Sequence, residues 1–183
     1  MYTHARTLLL TASAALAVLT PVAARAQMQE IRVTEQRAEA EKLEAEALTY
    51  EKNDWSNLKK AASLREKAAE LRKSDDPEGT VSLYWAARDR YYSGDPRGAR
   101  VLMEEAATRA LAMGDVLNAV TAFTEAAYIS ADLKDGERMR AMASKARLLS
   151  SSPLLTDAQR EQVRQRLGRS DAPVGVVASL GKQ

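Results

Sequence analysis

From about Gln29 onward, apolar residues recur at spacings of three, four and seven, and no stretch shows clear two-residue alternation. That is the periodicity of helices rather than strands. Seven helices are expected. In the first, Gln29 to Glu51, Val33, Ala40, Leu43, Ala47 and Tyr50 form one apolar stripe, with Arg37–Glu41 and Lys42–Glu46 as i,i+4 pairs beside it. Packing as the first layer of a helical array is the preferred role for this helix. A coiled-coil strand is the alternative, since Val33, Ala40 and Ala47 stand one heptad apart. Asn53-Asp54 makes a turn, and Asp54 caps a second helix from Trp55 to Lys73. Asp76-Pro77-Glu78, Asp95-Pro96, Asp115 and Asp135 open four more, with Asp as N-cap and, in two cases, Pro at the first helical position. Thr156 and Gln159 form a capping box for a seventh that ends near Gly168.

Four of these helices share a 20-residue repeat. Asp75, Asp95, Asp115 and Asp135 are 20 apart. At offset 4 stand Gly79, Ala99, Ala119 and Met139; at offset 8, Leu83, Met103, Phe123 and Ala143. Offset 11 holds Ala86, Ala106, Ala126 and Ala146, and offset 12 holds Ala87, Ala107, Ala127 and Arg147. These offsets fall on one side of a helix, so each unit has one apolar stripe of small residues with a larger filler. Gly94 and Gly114 can end a helix in the left-handed conformation, and the Asp that follows each caps the next helix. Connections that short reverse the chain, so consecutive helices should pack antiparallel. Each helix needs its neighbours to bury its stripe.

Ala106-Ala107, Gly114-Asp115, Ala119, Phe123 and Ala126 resemble the tetratricopeptide pattern, and Tyr91-Tyr92-Ser93-Gly94-Asp95 with Ala99 and Ala106 is a second partial match. The resemblance covers about residues 80–150. It departs from the family in period, because two units span 40 residues rather than 34, and no Pro closes each unit. It implies an all-α fold of antiparallel helical hairpins stacked as a short tetratricopeptide-like α-solenoid. It also implies a scaffold that holds a protein or peptide in a groove.

The N-terminus breaks the pattern. Arg6 precedes a 13-residue apolar run from Leu8 to Thr20, Pro21 interrupts it, and Ala24-Arg25-Ala26 follows. This order reads as a secretory signal peptide over residues 1–26, cleaved between Ala26 and Gln27, with an uncleaved anchor as the alternative. The expected domains are therefore the signal, a helical-repeat domain over 27–168 and a flexible tail over 169–183. Localisation would be periplasmic or secreted. Cleavage removes two Arg and no acid, so 27 basic residues become 25 and match the 25 acidic ones. A balanced mature chain argues against nucleic acid as partner, and no later segment is apolar for long enough to cross a membrane.

The mature chain has no Cys, and its only His, His4, leaves with the signal. That excludes thiolate and imidazole chemistry, including Ser-His-Asp catalysis and imidazole metal sites. Gly94-Asp95-Pro96-Arg97-Gly98 lacks the Lys-Ser/Thr ending of a phosphate loop. Asp132 and Asp135 lack calcium-loop spacing. Glu104-Glu105 and Asp75-Asp76 read as solvated helix faces and ends. No catalytic residue, cofactor or metal is expected.

Four aromatics crowd the third helix between Tyr84 and Tyr92. Leu83, Ala86, Ala87 and Arg90 point to one side, and Val81, Trp85, Arg88 and Tyr92 roughly to the other. Two readings stay open. The helix is interior and covered on both sides, or Trp85 and Tyr92 anchor a partner while Arg88 pairs with its carboxylate. Trp55 reads as a staple between helices, and Val174 to Leu180 as part of the tail. The functional expectation is an exported, non-enzymatic interaction scaffold. Its alternatives are a self-associating homo-oligomeric bundle and a carboxylate-based hydrolase of envelope polymers.

Overall fold

The computed structural model of the chain describes residues 21–53, 55–72 and 76–170. The leader reading of residues 1–20, Asp54, Asp75, the side chain of Trp55 and the tail 171–183 lie outside the described residues. The helices are α1 (Pro21–Asn53), α2 (Leu58–Leu71, entered through a 3-10 turn at Trp55–Asn57), α3 (Pro77–Tyr92), α4 (Pro96–Ala112), α5 (Val116–Asp132), α6 (Gly136–Ser150) and α7 (Asp157–Ser170). There is no strand among the described residues. The chain divides into two compact units, Met1–Thr34 and Glu35–Gln183. In the first, α1 begins at Pro21 rather than near Gln29. Pro fits the first helical turn, and the Ala, Arg, Gln and Met that follow are good helix formers. Residues 25–32 are exposed, and the Thr34 hydroxyl bonds back to the Glu30 carbonyl at 3.0 Å.

In the second unit each helix from α2 to α6 packs on the next along the chain. The turns that reverse it share one geometry. After α3, Gly94 N–H donates to the Tyr91 carbonyl (3.1 Å) and Asp95 N–H to that of Arg90 (2.8 Å). After α4, Gly114 and Asp115 repeat this on Leu111 (3.0 Å) and Ala110 (2.9 Å), and after α5, Lys134 and Asp135 on Ala131 and Ser130 (both 2.9 Å). The middle residue is left-handed each time, with φ of +88° at Gly94, +77° at Gly114 and +58° at Lys134. Each Asp then accepts the N–H of the residue three on, from Gly98 (2.9 Å), Asn118 (3.1 Å) and Arg138 (3.0 Å). The stop-and-start expected of Gly-Asp therefore holds at Gly94 and Gly114. Lys134 makes the same turn without glycine, and the left-handed conformation costs a residue with a Cβ about 1–2 kcal/mol. The capping box also forms, with Thr156 N–H on Gln159 Oε1 (2.8 Å) and Gln159 N–H on Thr156 Oγ1 (3.2 Å).

The repeat positions form the core. Leu83, Met103, Phe123 and Ala143 are buried, as are Ala86, Ala87, Ala99, Ala106, Ala107, Ala119, Ala126, Ala127 and Ala146. Small residues on facing stripes bring helix axes close, and Met103 and Phe123 fill the remaining gaps. Gly79 stands at the same register because a Cβ there would come within 3.2 Å of Arg72 Cβ. Val116, Val120, Met142, Leu155, Val163 and Leu167 extend the cluster under α7.

Side-chain bonds sort the helices into two layers. Odd helices join through Arg37–Asp76 (3.2 Å), Glu44–Ser82, Tyr91–Asp132 and Tyr128 Oη to the Arg166 carbonyl (2.5 Å). Even helices join through Arg109 to the Ala69 carbonyl (3.3 Å) and Arg138 Nε to Glu104 (2.9 Å), with Arg100 of α4 on Asp135, the cap of α6 (2.7 Å). A two-layer stack of successive helices is the α-solenoid arrangement.

Four charge assignments change. Arg37 pairs with Asp76 rather than Glu41, and Lys42 with Glu39 (3.5 Å) rather than Glu46. Asp76 is not a solvated helix end: it is 7% exposed and lies between Arg37 and Arg72 (3.7 Å). Glu104 is 17% exposed and clamped by Arg138, with Arg100 at 3.8 Å. The Arg37–Asp76 and Arg138–Glu104 partners lie across helices, so local spacing cannot show them, whereas Lys42 only exchanges one near neighbour for another.

Candidate functional site

Two sides of α3 behave differently. Leu83, Ala86 and Ala87 are buried in the stack, while Val81, Trp85 and Tyr92 are exposed, the last two by 39% and 55%. The three residues singled out in the sequence come together. The Arg88 guanidinium lies over the Trp85 ring at 4.6 Å and the Tyr92 ring at 5.8 Å. Trp85 also has Arg65 at 5.7 Å, and edge-on contacts join Tyr84 to Trp85 (5.9 Å) and Tyr91 to Tyr92 (5.5 Å). A cation on a partly exposed ring contributes about 0.5–1 kcal/mol, a few-fold preference for this arrangement. The reading of α3 as covered on both sides does not describe Trp85 and Tyr92.

Beside Trp85, α1 and α3 enclose a cleft of about 290 Å³. Helix α1 supplies Glu44, Leu48 and Glu51, α3 supplies Glu78, Val81 and Ser82, and Arg65 of α2 also lines it. Two of the three glutamates are already engaged, Glu44 by Arg72 (3.0 Å) and Ser82, and Glu51 by Arg65. Behind Glu51, Arg65 also holds the buried Asp89 at 2.5 Å. Burial, reinforced by Glu51, pushes the Asp89 carboxyl up to about 7 against the pull of Arg65. Burial would raise Glu51 too, but its bonds to Arg65 and Asp89 outweigh that and hold it below its ordinary value. Split ionisation is what an acid–base pair needs. Here, however, one nitrogen of Arg65 bonds both carboxyls and Asp89 is buried, so the trio is a structural ion network.

On the other flank of α3 are residues the sequence reading passed over. Tyr84, Arg88 and Tyr91 share one face of α3, and Glu125, Tyr128 and Asp132 one face of α5, at spacings of three and four. The Tyr91 hydroxyl donates to Asp132, and burial with that carboxylate raises its pKa to about 12. Burial raises the Glu125 carboxyl, and the nearby Arg166 and Arg88 offset part of the rise. The signal was available: Tyr84–Glu125 and Tyr91–Asp132 share an offset of 41 residues, two repeat units plus one. Reading it required knowing that alternate helices share a layer.

No group of three His, Cys, Asp or Glu able to hold a metal occurs among the described residues. No described helix is long and apolar enough to cross a membrane. Comparisons with protein-family models, with curated proteins and with solved structures return no significant match. What the fold and the site define is an all-α, helical-repeat-like stack with an aromatic–arginine strip left open on its third helix.

Proposed function

We propose that the protein is an exported, non-enzymatic scaffold of tetratricopeptide-like build that binds a protein or peptide partner on the odd-helix face. The observation that carries this reading is the strip Trp85–Arg88–Tyr92. Two aromatics stay exposed on a helix whose repeat positions Gly79, Leu83, Ala86 and Ala87 are buried, and an arginine is held over both. Trp, Tyr and Arg supply most of the energy in protein interfaces. Export rests on the leader pattern of residues 1–26. The split carboxylate pair gives no support to a hydrolase, since Arg65 bonds both carboxyls and Asp89 is buried.

The test is crosslinking in intact cells from a photoreactive residue placed at Val81, followed by identification of the captured protein. Capture should disappear in a Trp85→Ala/Tyr92→Ala double variant with unchanged helicity. Capture that survives both substitutions removes the strip from the interface. Sedimentation decides against self-association if the mass stays monomeric at all concentrations.

A further inference from the structure

Among the described arginines that are not fully exposed, Arg65, Arg72, Arg90, Arg100, Arg109 and Arg160 each hold a carboxylate. Arg88 and Arg166 hold none of those described, although both are half-buried. Glu125, also half-buried, is the matching exception among the described acids, since no described group bonds to its carboxylate. These three charges belong to one face. Arg88 is on the α3 surface that meets α5 through Tyr91–Asp132, and Glu125 is one turn before Tyr128, which bonds to the backbone of Arg166. Two cations and one carboxylate stand near one another without closing into ion pairs. Partly desolvated guanidiniums without anions are costly, and a ligand carboxylate can relieve that cost.

We infer that the occupant of this face is an acidic segment of a partner protein, with an Asp or Glu side chain bridging Arg88 and Arg166 and apolar side chains on Trp85 and Tyr92. What selects the acid is the pair of half-buried guanidiniums that hold no described carboxylate: Glu125 and Asp132 on the same side balance their charge, but Asp132 is taken by the Tyr91 hydroxyl and Glu125 bonds to neither. The segment must also be extended. Trp85 and Tyr92 are seven residues apart on one helix, about 10 Å along its axis, which an extended chain covers in about three residues. Tyr84 and Tyr91 support the two anchors edge-on from the flank that meets α5. The inference rests on the interaction reading above and adds the partner's chemistry and the role of Arg166.

A random dodecapeptide library panned against the full-length chain tests it. Enriched peptides should carry an excess of Asp and Glu beside apolar residues. Arg88→Gln or Arg166→Gln should weaken the best peptide about tenfold, the loss of one charge-assisted contact, and replacing the peptide's acids by Gln should do the same. Glu125→Gln should tighten it about threefold by removing a like charge. Circular dichroism confirms the fold of each variant, and Arg166, on the last helix, serves if Arg88→Gln unfolds. Enriched peptides that are neutral or basic, or that ignore Arg166→Gln while losing to Trp85→Ala, overturn the acidic partner and leave the strip as an interface. Anionic vesicles that bind with the same Arg166 dependence overturn it in favour of a membrane surface. If no peptide prefers the native chain to the Trp85→Ala/Tyr92→Ala variant, the interaction reading itself fails.

Discussion

Between α3 and α6 the helices meet through Ala87, Ala106, Ala107, Ala126 and Ala127, with Met103 and Phe123 as fillers. Where α1 meets α2 and α3, Ala40 and Ala47 are buried in the same way, but around them Arg65 and Arg72 bind Glu51, Asp89, Glu44 and Asp76. The stack is dry and regular. The α1 junction is a buried ion network laid over a minimal alanine contact. Alanine stripes tolerate no change of volume but contain no charge to be stranded. The network tolerates shape but fails if one partner is lost, because the other stays buried and unpaired. One protein is thus held by two chemistries with different weak points.

The largest effect should come from the junction. Arg65→Ala strands Glu51 and Asp89 and should cost about 3–5 kcal/mol in urea unfolding. Converting Arg65, Glu51 and Asp89 together to Met, Leu and Leu should recover most of it. Failure to recover would mean that the trio does more than pair charges.

The pH response separates the regions next. The Asp89 carboxyl is raised from its ordinary 3.8 to about 7 in the fold. An acid whose pKa folding raises contributes stability that is fully present below its unfolded value and lost as pH rises through the folded one. Stability should therefore fall between about pH 4 and pH 7, and Asp89→Asn should flatten that slope. Asp95 is held below its ordinary value by the Gly98 N–H and Arg90, so its contribution runs the other way and is lost only in acid.

In the stack, Ala106→Leu should cost about 1–3 kcal/mol by overpacking, read as a lowered urea midpoint with no change in the pH slope. Asp115→Ala removes the cap on Asn118 N–H and should cost about 1 kcal/mol. The smallest effect is a gain. Lys134→Gly relieves the left-handed residue after α5 and should add about 0.5 kcal/mol, the strain relieved less the extra entropy of an unfolded glycine. If Lys134→Gly instead destabilises, that turn is held by contacts of the Lys side chain rather than by its backbone alone.

Much of the stack was readable one residue at a time. Its alanines, Met103 and Phe123 are repeat positions, and caps such as Asp115 and Asp135 are bonds within four residues. The α1 stripe at Ala40 and Ala47 was readable for the same reason, whereas the partners of Arg37 and Glu104 were not. Those bonds span 39 and 34 residues, and a long flexible side chain chooses among several acids only after the backbones are placed. The candidate site divides along the same line. Trp85, Arg88 and Tyr92 were legible because one helix carries all three. Arg166 and Glu125 were not, because they join Arg88 only when α3, α5 and α7 line up in one layer.

Local sequence determined what local physics controls: seven helices, their Asp caps, the left-handed glycines and the apolar stripe of each rod. Periodicity and capping act within a few residues, so a single chain read in order contains them. The tertiary structure alone decided which arginines find a carboxylate and which stay open, and that Trp85 and Tyr92 remain exposed. Those outcomes depend on distances between helices dozens of residues apart, which packing sets and sequence order does not.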